Sequence, residues 1–236
     1  FLSLALLTFI CILLIIIFIP KWQSKSIDNK HLNESKLSTV WKNPLFKSLV
    51  PMGFFSYGGL FAIQTLWAGP WMIRVSGYTP EESAQGLFII YFCMLISFLV
   101  WGYFVPKFSK NVNDAIRLLK IGAPINLFVL IIIIYLGSKA GSIHWALFIV
   151  SSIFLSLTQP AVGMAFSLSN AGKALTSFNL LIFIGAFFIQ WIIGLIIDAG
   201  IAFNLSEIDS FKLAMTFVLI TSLLSYLFFL RKVKIN

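Results

Sequence analysis

Apolar residues run through the chain in seven stretches, 1-19, about 48-73, 84-105, 121-137, 144-168, 177-199 and 213-230. Each is near the ~20 residues that cross roughly 30 Å of hydrocarbon at ~1.5 Å per residue, so each predicts a membrane-spanning helix. Short polar loops separate them, except for a linker over 20-47, the one substantial polar segment. No soluble domain fits between the spans. The pattern divides the chain into a first helix 1-19, the linker 20-47, a six-helix body 48-230 and a short tail 231-236. The sequence opens on Phe1 inside an apolar run, with no basic n-region and no small-residue cleavage site. It is therefore read as a truncation within or just before a spanning helix, not as a signal peptide.

Composition agrees with the pattern. Of 236 residues 59% are apolar and 11% charged, with a mean hydropathy of +0.97, against about 25% charged residues in a soluble domain. Cys11 and Cys93 both lie in apolar runs without a second ligand nearby, which points to packing and to neither a disulfide framework nor a metal site. The net charge of +9 would suggest nucleic acid in a soluble protein, but its distribution over the loops changes that reading. Assigned alternately to two sides, the linker 20-47, the loops 106-120 and 169-176 and the tail carry all the basic residues except Arg74, Lys139 and Lys212. Glu81, Glu82, Asp198, Glu207 and Asp209 fall on the opposite side. By the positive-inside rule the linker and the C-terminus are cytoplasmic, and nucleic acid is not expected as a partner. The linker reads as a solvated connector, with room for a short helix on the headgroups; its basic charge is first a topology signal, with weak attraction to anionic lipid the second reading.

No charged residue sits deep in a span, so any function carried there falls to uncharged polar groups. Asp198 and Arg74 lie at span ends, and His31 and His144 sit in or beside loops. Span 48-73 holds Ser56, Tyr57, Gln64 and Thr65 ahead of Trp67-Ala68-Gly69-Pro70-Trp71, and span 144-168 holds Ser151, Ser152, Ser156, Thr158 and Gln159 ahead of Pro160. Polar groups facing lipid are penalised, so these faces turn toward a cavity or toward other helices. Tyr57, Gln64, Thr65, Trp67, Ser152, Ser156 and Gln159 are the candidate cavity residues; hydrogen-bonded glue between helices is the competing reading. Pro70 and Pro160 remove backbone donors and can kink their helices. Trp67, Trp71, Trp101, Trp145 and Trp191 fall near span ends, as an aromatic belt would place them, although Trp67 and Trp71, one turn apart, also suit stacking on a solute. In span 177-199 the four-residue spacing of Gln190, Gly194 and Asp198 makes a small-residue stripe suited to packing or sliding. The spans form two groups of three, 48-137 and 144-230, as an inverted repeat would.

Leu66-Trp67-Ala68-Gly69-Pro70-Trp71, and Asn170-Ala171-Gly172-Lys173-Ala174-Leu175-Thr176 followed by Asn179-Leu180, Phe183, Gly185-Ala186-Phe187 and Gln190-Trp191, resemble the C-terminal half of bacterial major facilitator superfamily transporters. Gly102-Tyr103-Phe104-Val105-Pro106-Lys107 sits where that family repeats its cytoplasmic Gly-x-x-x-Asp-Arg motif, and departs from it at Pro106 and Lys107. The resemblance covers essentially the whole chain, as the sixth helix, the central loop and helices seven to twelve. It implies an all-α polytopic membrane helical bundle, a half of that type with one extra preceding helix, in the bacterial inner membrane. It also implies that spans 48-73 and 144-168 line the cavity, that 84-105 and 177-199 face the other half, and that 121-137 and 213-230 lie outermost.

The expected function is secondary transport of a small solute by alternating access, without catalysis, cofactor or metal. The partners are the solute, the bilayer and the N-terminal half of the same protein. Gly102, Lys107, Gly185, Gln190, Gly194 and Asp198 are the candidates for the interface between halves and for gating, with the Gly185 to Gly194 face packing on the missing half. The alternative is a seven-helix receptor or sensor. A retinal protein is disfavoured, because span 213-230 contains no lysine and Lys212 is at its outer edge. An enzyme would need a cluster of His, Asp or Glu near one membrane face, and the sequence offers none.

Overall fold

The computed structural model describes residues 2–18 and 37–233. Most of the linker, including Trp22 and His31, and the end of the tail lie outside the described residues. The chain forms two units, Phe1–Ser35 and Lys36–Asn236. In the first, helix α1 (Leu2–Phe18) is largely apolar and 17 residues long, the lower limit for a span. In the second, a short helix α2 (Leu37–Lys42) precedes six helices long and apolar enough to cross a membrane: α3 (Pro44–Arg74), α4 (Pro80–Phe108), α5 (Val112–Leu136), α6 (Ser142–Met164), α7 (Leu168–Ala202) and α8 (Glu207–Lys232). Among the described residues there are helices and no strands. The protein is an all-α polytopic membrane helical bundle.

The helices begin earlier than hydropathy places them, and for α3, α4, α5 and α8 a polar side-chain cap starts the helix outside the apolar window. Asn43 accepts from the Phe46 amide at 3.0 Å with Pro44 at the first helical position, so α3 starts inside the expected linker. Thr79 and Glu82 form a reciprocal capping box ahead of α4, at 3.2 and 2.8 Å. Asn111 caps α5 through the Asp114 amide, and Ser206 caps α8 through the Asp209 amide. Glu81, Glu82, Asp114, Glu207 and Asp209 thus lie in first turns, where the helix dipole favours negative charge. The expected loop 169-176 is helical, since α7 already runs from Leu168.

Half of the apolar window of α3, and half of that of α6, is buried, against 6% for α4 and 33% for α5, α7 and α8. The two polar-rich spans are therefore the inner ones. Helices α5 and α8, expected outermost, are buried as much as α7, and α4 is the most exposed span. Close approach of α3 to α7 depends on glycine: a Cβ on Gly58 would meet the Ala186 amide nitrogen at 2.8 Å, and one on Gly185 would collide with the Phe54 carbonyl. Trp71 and Trp145 do not form a belt. Both are fully buried, edge to face at 5.6 Å, and Trp71 donates its indole N–H to the Ala140 carbonyl at 3.2 Å. They close the core where the end of α3 meets the α5–α6 turn and the start of α8, beside the exposed Arg74–Glu207 pair at 3.2 Å. Trp67 and Trp101 are half-buried, and Trp191 alone of the five is strongly exposed. Cys93 packs half-buried against the core of the second unit, and Cys11 is exposed on α1.

Candidate functional site

The inner helices both abandon regular α geometry midway. Helix α3 widens to π geometry over Met52–Tyr57, directly after Pro51, and again over Ile63–Trp67, shortly before Pro70. Helix α6 tightens to 3-10 geometry over Ser152–Leu157, shortly before Pro160. Pro70 and Pro160 supply no amide to the turns before them, where the second π stretch and the 3-10 stretch lie, so the ladder adjusts there. In α6 the hydroxyls of Ser151, Ser152, Ser156 and Thr158 each donate to the carbonyl three residues back, at 2.6 to 2.8 Å, and satisfy carbonyls in and just before the tightened stretch. Such interruptions recur at hinges and functional sites.

A cleft of about 120 Å³ opens between these irregular segments and α4. Tyr57 and Gln64 of α3 and Ser152 and Ser156 of α6 line it, with Met94 and Phe98 of α4. Tyr57 is buried, yet its hydroxyl bonds to no described residue. The Gln64 amide donates to Met94 Sδ at 2.9 Å, a weak acceptor. Ser152 and Ser156 have spent their protons on Ile149 and Ile153 carbonyls, but each oxygen can still accept. The cleft thus presents one under-used hydroxyl, one under-used carboxamide and two acceptor oxygens against apolar walls. No charged or histidine side chain lines it. That suits a small uncharged polar solute, because an ion there would lack a compensating charge.

The other candidates lie elsewhere, because neighbours on a helix point about 100° apart. Thr65 turns to α7, accepting from Gln190 Nε2 at 2.7 Å, and the Trp67 indole donates to the Gln190 carbonyl at 3.1 Å. Gln159 donates to Asn179 Oδ1 at 3.0 Å, tying α6 to α7 away from the cleft. The face from Gly185 to Gly194, expected against a missing half, packs on α3. Gly185 abuts Phe54, and a Cβ on Gly194 would touch the Trp67 ring at 3.5 Å. Its small residues serve helix contact inside this unit. Asp198 is exposed with no hydrogen-bond or ion-pair partner among the described residues. Gly102 faces open space, and the Lys107 ammonium sits 3.8 Å from the Tyr103 ring centre. No group of three metal-ligating side chains occurs among the described residues.

Met94 and Phe98 carry no polar signal in the sequence, since α4 is the apolar helix that lends the cleft its wall. Tyr91 carried the one signal, a phenol within an apolar run; its hydroxyl donates to the Gln64 carbonyl at 2.8 Å, inside the second π stretch. No family model matches the chain, and neither the curated proteins nor the solved structures provide a match.

Proposed function

We propose that the chain is part of a secondary transporter that moves a small, uncharged polar solute by alternating access. The observation that carries this reading is the cleft itself: under-used polar groups gathered where two inner helices both lose α geometry beside prolines. Broken helices are where membrane transporters expose backbone and side-chain groups to a solute, and where a helix can bend as access switches. The resemblance to the C-terminal half of major facilitator superfamily transporters supports the same reading, with the cytoplasmic linker and C-terminus that the loop charges favour and a bacterial inner membrane. Transport then requires the other half, and no coupling carboxylate comes from this cleft.

The test is uptake into vesicles containing the full-length protein, screened over solute classes with and without a pH gradient. For the solute found, Gln64→Ala raises KM at least several-fold, the expected effect of losing a hydrogen bond worth about 1 kcal/mol. Gln159→Ala, remote from the cleft, leaves KM near the parent value. Unchanged affinity and rate in Gln64→Ala would show that the site lies elsewhere.

A further inference from the structure

Outside the cleft, the end of the bundle where α2 and α3 start and α8 finishes carries a second, differently built depression. Lys42, Lys47 and Lys232, from three different helices, surround a groove of about 450 Å³ floored by Pro44, Ser48 and Phe228. No acidic side chain lines it, and none of the three lysines forms an ion pair among the described residues. The single ring contact is Lys232 Nζ, 5.9 Å from the centre of Phe228. Three exposed ammonium groups from different helices thus border one groove, with no counter-charge among the described residues.

Phe228 is shared with a second trough, of about 210 Å³, which continues between α3 and α8. Pro51 and Phe55 form one wall and Leu224 the other. The order along both helices fixes its direction: Pro51 is one turn inside Lys47, and Leu224 and Phe228 precede Lys232 by two turns and one. Two hydroxyls reach the trough, and both are occupied, Thr221 on the Phe217 carbonyl at 2.9 Å and Ser225 on the Ser222 carbonyl at 2.8 Å. The trough therefore presents hydrocarbon. Ser56, in the first π stretch, bonds Ser225 at 2.7 Å and ties α3 to α8 beside it.

We propose that this groove binds one anionic phospholipid, its phosphate among Lys42, Lys47 and Lys232 and an acyl chain along the trough below Phe228. A free phosphate would use only the rim, and a zwitterionic lipid would bring a second cation to three lysines. Charge at the rim and hydrocarbon one turn deeper together match a lipid with a net negative headgroup.

Native mass spectrometry of the detergent-solubilised full-length protein, titrated with phosphatidylglycerol or with phosphatidylcholine of the same chains, tests this. One phosphatidylglycerol is retained in preference to phosphatidylcholine. The double variant Lys47→Gln/Lys232→Gln loses about 25-fold in affinity for it, at roughly fivefold per lysine. Leu224→Trp, at an exposed position, fills the trough and weakens the long-chain lipid while leaving the melting temperature at the parent value. Equal retention of both lipids, parental affinity in the double variant, or displacement of the lipid by millimolar inorganic phosphate would each overturn the proposal. Should the double variant melt early, the phosphatidylglycerol-to-phosphatidylcholine preference of the parent and of Leu224→Trp decides.

Discussion

Gly102 and Gly185 look interchangeable as glycines in spanning segments, yet their surroundings are opposite. A Cβ at 185 runs into the Phe54 backbone, which cannot rotate away, whereas nothing lies within 4 Å of one at 102. Gly185→Ala is expected to lower stability by about 1 to 3 kcal/mol, and Gly102→Ala to leave it unchanged or raise it by about 0.5 to 1 kcal/mol through helix propensity. Unfolding in mixed micelles by stepwise addition of SDS measures both. Asn126 is the corresponding polar case. It is buried on α5 and donates to the Phe148 carbonyl at 2.9 Å and to Ser151 Oγ at 3.0 Å on α6. Asn126→Leu is expected to cost about 0.6 kcal/mol, the average for hydrogen bonds between membrane helices, and at most about 1.7 kcal/mol, in the same unfolding measurement. Residue type in the sequence showed which positions are polar or small but not which way they point. Tyr57, Gln64, Ser152 and Ser156 meet at one cleft, while Thr65, one step from Gln64, belongs to the α7 contact.

At the scale of the element, hydropathy located the six spans of the body and misplaced their ends. It measures the hydrocarbon-facing centre of a helix, while polar caps set the start of α3, α4, α5 and α8. The signals were in the sequence: Thr79-Pro80-Glu81-Glu82 is a capping box in plain view, and Asn43-Pro44 a start signal. Thr79→Ala should lower stability by about 0.5 to 2 kcal/mol and Thr79→Ser should retain it, with thermal melting in detergent as the check. The π and 3-10 stretches of α3 and α6 were not legible, since side-chain hydropathy carries no record of backbone hydrogen-bond register. Pro70 and Pro160 mark two of these stretches in the sequence, and Pro51 directly precedes the third.

For the whole molecule, pattern and composition were enough to establish a helical membrane protein, because about 20 apolar residues at a time leave no other way to satisfy the backbone in lipid. The ranking of α3 and α6 as inner helices was also legible, since their polar residues must avoid lipid. The placement of α5 and α8 was not, because their few polar groups, among them Asn126, Ser222 and Ser225, are buried between helices of the bundle. The central claim is that the cleft at Ser156 is a solute site reached alternately from the two membrane faces. The most direct measurement is labelling of Ser156→Cys, in full-length protein with Cys11 and Cys93 replaced by serine, by a membrane-impermeant thiol reagent applied to one face at a time. Alternating access predicts modification from either face, with the balance shifted by transported solute; modification confined to one face under every condition, or none from either, would contradict it.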